Sequence, residues 1–244
     1  MSLAENFNRA HYTSIPEKLW EYYDRIVGAC PSHRLLEAIR KQGSDVTWRA
    51  INEIFDRASQ ATKISPDQLI GRLGFETNDL DPANFQAMLG ILRAINLLNQ
   101  IGFRDIEPLR PKLNRQEADL LAQRGNKRYA IEVFRSSEAA YRFIDHEKPS
   151  ANLVTYIAER THAKLQQVVS TVQAHNCDAG IIVIVVDSQP AKALSSTSEL
   201  QDVMSEAFQA IGSPTGIHLF LFTGMANEQG SDEYVCCPSL PEVG

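Results

Sequence analysis

Residues 117–135 read Glu-Ala-Asp-Leu-Leu-Ala-Gln-Arg-Gly-Asn-Lys-Arg-Tyr-Ala-Ile-Glu-Val-Phe-Arg, and the fold assignment turns on this stretch. Two apolar runs flank the polar break Arg124-Gly125-Asn126-Lys127, the composition of a β-hairpin whose turn needs a residue at ease with positive φ. Side chains alternate faces along a strand, so Tyr129, Ile131 and Val133 share one face of the second run, and Ala130, Glu132 and Phe134 share the other. Glu132 therefore stands mid-strand among apolar neighbours. A buried carboxylate has to be paired, protonated or bound to a metal, because an isolated charge in a low dielectric is very costly. Asp119, across the turn on the preceding run, is its natural companion, and Glu117 falls on the same face as Asp119.

Outward from the hairpin the pattern is α/β. Upstream, Phe85, Met88, Leu89, Ile91, Leu92, Ile95 and Leu98 predict a long, well-buried helix over Pro82–Gln100, followed by a first strand over 103–109. Downstream, residues 136–150 are polar and irregular and read as a loop over the site. One long helix is expected over 152–175. Residues 180–187, Gly-Ile-Ile-Val-Ile-Val-Val-Asp, form a continuous apolar run rich in β-branched side chains, as in a strand buried on both faces. A helix over 198–211 and strands over 217–223 and 234–237 complete a sheet. The order from residue 82 is thus helix, strand, two-stranded hairpin, helix, strand.

The acids and this order resemble the PD-(D/E)XK nuclease superfamily. Its motif has an acid on one strand and then Asp or Glu, any residue and Lys on the next, after an opening helix and before a helix and a further strand. Asp119 matches the first acid, and Glu132 and Val133 match the second acid and its neighbour. Ala118 stands where the motif's Pro would be, and Phe134 stands where its Lys would be. The resemblance covers roughly the last two thirds of the chain. It implies a restriction-endonuclease-like α/β core with a central mixed sheet flanked by helices, preceded by an α-helical N-terminal region. It also implies metal-dependent hydrolysis of phosphodiester bonds, in DNA before RNA. Asp119, Glu132 and the Val133 carbonyl would hold Mg²⁺, with Mn²⁺ as a substitute and Glu117 as an extra ligand.

At about 100° per residue, Ile157, Thr161, Val168 and Val172 define the inward stripe of the long helix, and Lys164 falls within it. Arg160 and Gln167 lie beside Lys164 along one margin. In some members of the superfamily the catalytic lysine has moved to this helix, so the resemblance makes Lys164 the replacement for the one absent at Phe134. Catalytic roles are thus expected for Asp119, Glu132 and Lys164, and substrate-binding roles for Arg135, Arg160 and Gln167. Arg135 should face the opposite side of its strand. The plainer alternative for Lys164 is a structural salt bridge or a stem lying along apolar surface with its head in water. For the whole protein the alternative is a nuclease-fold chain that has lost activity with its lysine and binds nucleic acid or a protein.

The N-terminal region reads as helical. Leu19, Trp20, Tyr23, Ile26 and Val27 recur at spacings of three and four, and a second helix carries Leu35, Leu36 and Ile39. Thr47 is expected to cap a third, and Ser65-Pro66 to open a short fourth. A helix-turn-helix within 47–74 would have Arg72 as the only basic residue on its second helix, so a packing or protein-binding module is the better reading. The acidic, turn-rich residues 75–83 mark the expected boundary, giving a helical region over 1–80 and the nuclease-like domain over 81–244.

Composition narrows the classes further. The 244 residues are 43% hydrophobic and 22% charged, as in ordinary globular proteins. No apolar run reaches the roughly 20 residues that span a membrane, and no secretory signal is visible at the start, so a cytoplasmic protein is expected. The four cysteines lack zinc spacing and read as free, buried thiols. His146 and His162 have no nucleophile motif beside them, and neither G-x-x-x-x-G-K-[ST] nor G-x-G-x-x-G occurs, which sets aside nucleotide hydrolases and dehydrogenases. The net charge of −6 disfavours a nucleic-acid partner until its distribution is read. Residues 101–164 carry 12 Lys and Arg against 9 Asp and Glu, whereas residues 165–244 carry one against 9. The relatively basic segment is the one holding the candidate site, as a phosphate backbone would require.

Overall fold

The computed structural model describes residues 8–110, 117–135, 149–185, 197–222 and 234–241. The chain divides into two compact units, Met1–Asn96 and Leu97–Gly244. Among the described residues no helix is long and apolar enough to cross a membrane.

The first unit holds α1 (Glu17–Ala29), α2 (Arg34–Gln42), α3 (Ser44–Thr62), α4 (Pro66–Arg72) and most of α5 (Pro82–Gln100). Its core is aromatic. Trp20 and Trp48 lie 4.3 Å apart, Tyr23 meets Trp48 edge-on, and Tyr22 stacks on Phe85 with Phe75 at its edge. The Phe85 contact explains why the boundary lies inside α5 and not at 80/81: the start of α5 supplies a wall of this core. The start of α3 also differs from expectation. Gly43, at φ +90°, closes α2 and opens α3, so Thr47 is an interior residue whose hydroxyl bonds back to the Gly43 carbonyl at 2.9 Å. Ser65 does cap α4, accepting from the Gln68 amide, with Pro66 in the first turn.

His33 caps α2. Its Nδ1 accepts from the Leu35 amide at 3.1 Å, which leaves the proton on Nε2, 2.8 Å from the Tyr22 hydroxyl. Burial lowers its pKa from 6.5, against the pull of Asp81 and Glu37. A neutral buried histidine contributes stability above its unfolded pKa and loses it as pH falls through the lowered folded value. Both tryptophans lie in this unit, so tryptophan fluorescence follows its unfolding. The denaturant midpoint is expected to fall on acidification below about pH 6.5. In His33→Asn, which keeps a capping acceptor and removes the titration, that component is expected to be missing.

The second unit is built on a six-stranded mixed sheet in the order β1 (Arg104–Pro108), β2 (Leu120–Arg124), β3 (Lys127–Arg135), β4 (Ala179–Val185), β5 (Ile217–Phe222) and β6 (Tyr234–Cys237). The pairs β1–β2, β2–β3 and β5–β6 are antiparallel, and β3–β4 and β4–β5 are parallel. The fold class is therefore α/β. The β2–β3 turn is the two residues Gly125 and Asn126, with positive φ at Gly125 alone, the pattern of a type II′ turn. Asp105, at φ 48°, lies where the β1–β2 register shifts, a bulge that strands tolerate near an edge.

Two helices, α6 (Pro149–Ala174) and α7 (Thr197–Ala210), cover one face. Leu153, Ile157 and Val168 of α6, with Leu200, Val203, Met204 and Ala207 of α7, pack on Ile182, Ile184, Leu219 and Leu221. Every residue of β4 and β5 is buried, as the continuous apolar run of β4 requires. The opposite face carries Tyr129, Ile131, Ile181, Val183, Phe220 and Phe222, also buried. The expected loop over 136–150 lies largely outside the described residues; 149 and 150 already belong to α6.

Gly180 sets how near α6 lies to the sheet. A Cβ there would fall on Val168 Cγ1 and come within 2.7 Å of Ile217 Cδ1. Gly180→Ala is expected to destabilise the second unit by about 1–3 kcal/mol through overpacking, measured by chemical denaturation with circular dichroism.

Candidate active site

Glu132 occupies the centre of β3 on the face turned to α6, and 2% of its side chain is exposed. Strand alternation puts Phe134 on the same face, where it packs against the α6–α7 cluster. The position of the motif's lysine is thus filled by core. Lys164, from α6, supplies the cation instead: Nζ donates to Glu132 Oε1 at 2.5 Å. With 38% of its side chain exposed, Lys164 lies between the core and solvent.

Gln167, one turn on, completes the coordination of Glu132. Its Nε2 donates to Glu132 Oε2 at 2.8 Å and to the Glu117 carbonyl at 2.6 Å, while its Oε1 lies 3.4 Å from Lys164 Nζ. Both amide hydrogens are used inside the protein, so Gln167 positions Glu132 and is not a free donor for substrate, the role expected for it from sequence. Thr171 adds a further tie, accepting from the Ala118 amide and donating to the Gln167 carbonyl, each at 2.8 Å. Sequence reasoning missed Thr171; the signal was its place one turn beyond Gln167 on the same helix face.

Asp119 precedes β2 by one residue and is not within it. The β2–β3 register pairs Leu120 with Ile131, and continuing it by one residue sets Asp119 opposite Glu132. Asp119 Oδ2 accepts from the Val133 amide at 2.8 Å, and its own backbone N–H bonds to Glu132. The hairpin therefore brings the two acids together as expected. Lys164 bonds Glu132 directly and reaches Asp119 through its charge.

Desolvation dominates the electrostatics. Burial raises Asp119 to about 6, against the Val133 hydrogen bond and the Lys164 charge. Burial and then the Asp119 charge raise Glu132 to about 8, against Lys164. Two carboxylates face one ammonium, so full ionisation leaves a net negative charge in a dry site.

The remaining candidates are dispersed. Arg135 ends β3, half-buried, on the face that alternation turns away from Glu132. Arg160 is exposed on α6, with its guanidinium 5.7 Å from the Tyr156 ring centroid. Glu117, considered as an extra metal ligand, has a buried carboxylate 3.7 Å from His175 Nε2. His162 is exposed on α6, and His146 lies outside the described residues. In α4, Leu69 and Ile70 are fully buried. The four cysteines are free and half-buried.

Among the described residues no three His, Cys, Asp or Glu groups cluster as a metal cage. A pair of carboxylates with a backbone carbonyl is nonetheless a donor set that suits Mg²⁺, which takes one or two carboxylates and keeps its waters. A dication bound there would favour ionisation of both Asp119 and Glu132, whose raised pKa values reflect burial and mutual repulsion. The chain matches no known family model, no curated protein and no solved structure.

A carboxyl whose folded pKa is raised contributes stability that is complete below its unfolded pKa and is lost as pH rises through the folded value. For Glu132 the window runs from about 4.5 to about 8. The stability of the second unit, followed by hydrogen exchange of β3 and β4 amides, is expected to decline across that window. In Glu132→Gln the decline is expected to be shallower, leaving the part due to Asp119.

Proposed function

We propose that the chain is a Mg²⁺-dependent nuclease of the PD-(D/E)XK kind, acting on DNA, in which Lys164 has taken the place of the strand lysine. The observation that carries this reading is the bond from Lys164 to Glu132, made from a separate helix beside a second acid that the hairpin register sets opposite. A purely structural ion pair has no need of Asp119, whose presence raises the cost of ionising Glu132. The strand order, with a helix before β1 and another between β3 and β4, also supports the restriction-endonuclease-like core.

In this reading Asp119, Glu132 and the Val133 carbonyl hold the cation. The cation supplies positive charge against the phosphate and acidifies the attacking water. Lys164 can orient that water or a phosphate oxygen with a donor not used on Glu132, since an ammonium has three. Gln167 keeps Glu132 from rotating, and Arg160 on α6 and Arg135 at the end of β3, on the other face, supply positive charge for the strand. A second reading, a nuclease-fold protein that binds nucleic acid or a protein without cutting, is favoured by Phe134, which fills the motif's lysine position with core. The helical first unit would then serve as a partner-binding module.

Purified protein incubated with single- and double-stranded DNA and RNA is expected to cut in Mg²⁺ or Mn²⁺ and not in EDTA. Lys164→Ala is expected to lower the rate by about 10²-fold or more while remaining folded. Arg135→Ala should mainly weaken binding. Mg²⁺ should also raise the melting temperature of the wild type more at pH 8 than at pH 5, where protons compete for the acids. Absence of cutting even in Mn²⁺, with no thermal shift, would replace this reading by the second.

A further inference from the structure

Toward its start, α6 continues the row of Lys164 with Arg160 and with Tyr156, which the catalytic reading does not use. At about 100° per residue, Arg160 falls in angle between Gln167 and Lys164, one turn nearer the start of the helix, and Tyr156 lies one turn beyond it. Tyr156 is half-buried and packed on the α6–α7 cluster, so its ring is held. Arg160 is exposed and its guanidinium lies over that ring at 5.7 Å. Lys164, partly open to solvent, ends the row at Glu132. The row therefore passes from a guanidinium over a packed aromatic ring to an ammonium at the acids, in steps of one helical turn.

We propose that this row is a track for single-stranded nucleic acid, in which an unpaired base stacks on the Arg160–Tyr156 pair while its neighbouring phosphate lies at Lys164. The inference rests on the nuclease reading for the role of Lys164. Guanidinium and aromatic planes bind bases through their faces with little regard to sequence, and a charged groove follows the backbone. Within a duplex both faces of each internal base are already stacked on neighbours, so the pair can serve only an unpaired strand, an overhang or a frayed end. Tyr156 is then a substrate-binding residue, and the preferred substrate is single-stranded.

The test is binding by the full chain carrying Glu132→Gln, in EDTA so that no strand is cut. The probes are a short oligodeoxynucleotide containing 2-aminopurine, the duplex with its complement, and the RNA of the same sequence. The single strand is expected to quench on binding and to bind about tenfold or more tightly than the duplex. Tyr156→Leu should weaken single-strand binding roughly tenfold and remove most of the quench, whereas Tyr156→Phe keeps both. Arg160→Ala should weaken binding and lower the salt slope by about 1. Preference for the DNA or the RNA strand identifies the sugar and supports the track in either case. Equal binding of duplex and single strand, no binding of either strand, or Tyr156→Leu and Arg160→Ala binding like their parent would overturn it. If circular dichroism shows Tyr156→Leu unfolded, Arg160→Ala at an exposed position decides. Strand binding through the row without Mg²⁺- or Mn²⁺-dependent cutting by the wild type would leave this inference standing and remove the nuclease reading; cutting that is indifferent to Tyr156 would do the reverse.

Discussion

A carboxylate placed in the middle of a buried strand is the constraint to which the second unit is built. Glu132 has 2% of its side chain exposed, and left as an uncompensated charge it would cost several kcal/mol of desolvation. The protein compensates by bringing a helix across it. Lys164 takes one oxygen and Gln167 the other, and the backbone amide of Asp119 adds a third donor. The compensation is incomplete, because Asp119 adds a second acid at short range and raises Glu132 further. An ion pair chosen for stability alone would have no such neighbour. The residual cost is what holds both carboxyls above their ordinary range.

Much of the surrounding fabric keeps α6 in register with that carboxylate. Thr171 and Gln167 tie the helix to residues 117 and 118, and Gly180 lets Val168 approach β4 closely. Phe134 and the α7 side chains pack into the apolar cluster on the same sheet face. Helix and strand thus meet through two kinds of contact, polar around the acids and apolar beside them, and neither alone fixes where the ammonium falls.

How much of this was legible in the sequence follows from periodicity. Alternation in residues 127–135 sent Glu132 and Phe134 to one face, and the helical stripe through Ile157 and Val168 sent Lys164 inward; those two regularities suffice to make the contact. Periodicity puts Gln167 beside Lys164 but does not reveal that its amide hydrogens go to Glu132 and the Glu117 carbonyl. Threonine suits a cap, which is why Thr47 stands out in the sequence, whereas Gly43 with positive φ opens the helix. The boundary within α5 was hidden because a long apolar helix looks alike whichever core its parts join, and only the stacking of Phe85 on Tyr22 assigns its start.

The Gly125–Asn126 turn has a consequence that reaches well beyond the hairpin tip. With two residues in the turn, every position of β2 is assigned a partner on β3, out to the acids at the open end. Because strand side chains repeat every two residues, adding or deleting one residue between Gly125 and Asp119 would send the first acid to the opposite face while the strands still paired. Such a change would leave composition, charge and hydrophobic content almost untouched. The position of the first acid thus depends on the length of this short segment and not on the identity of most residues in it.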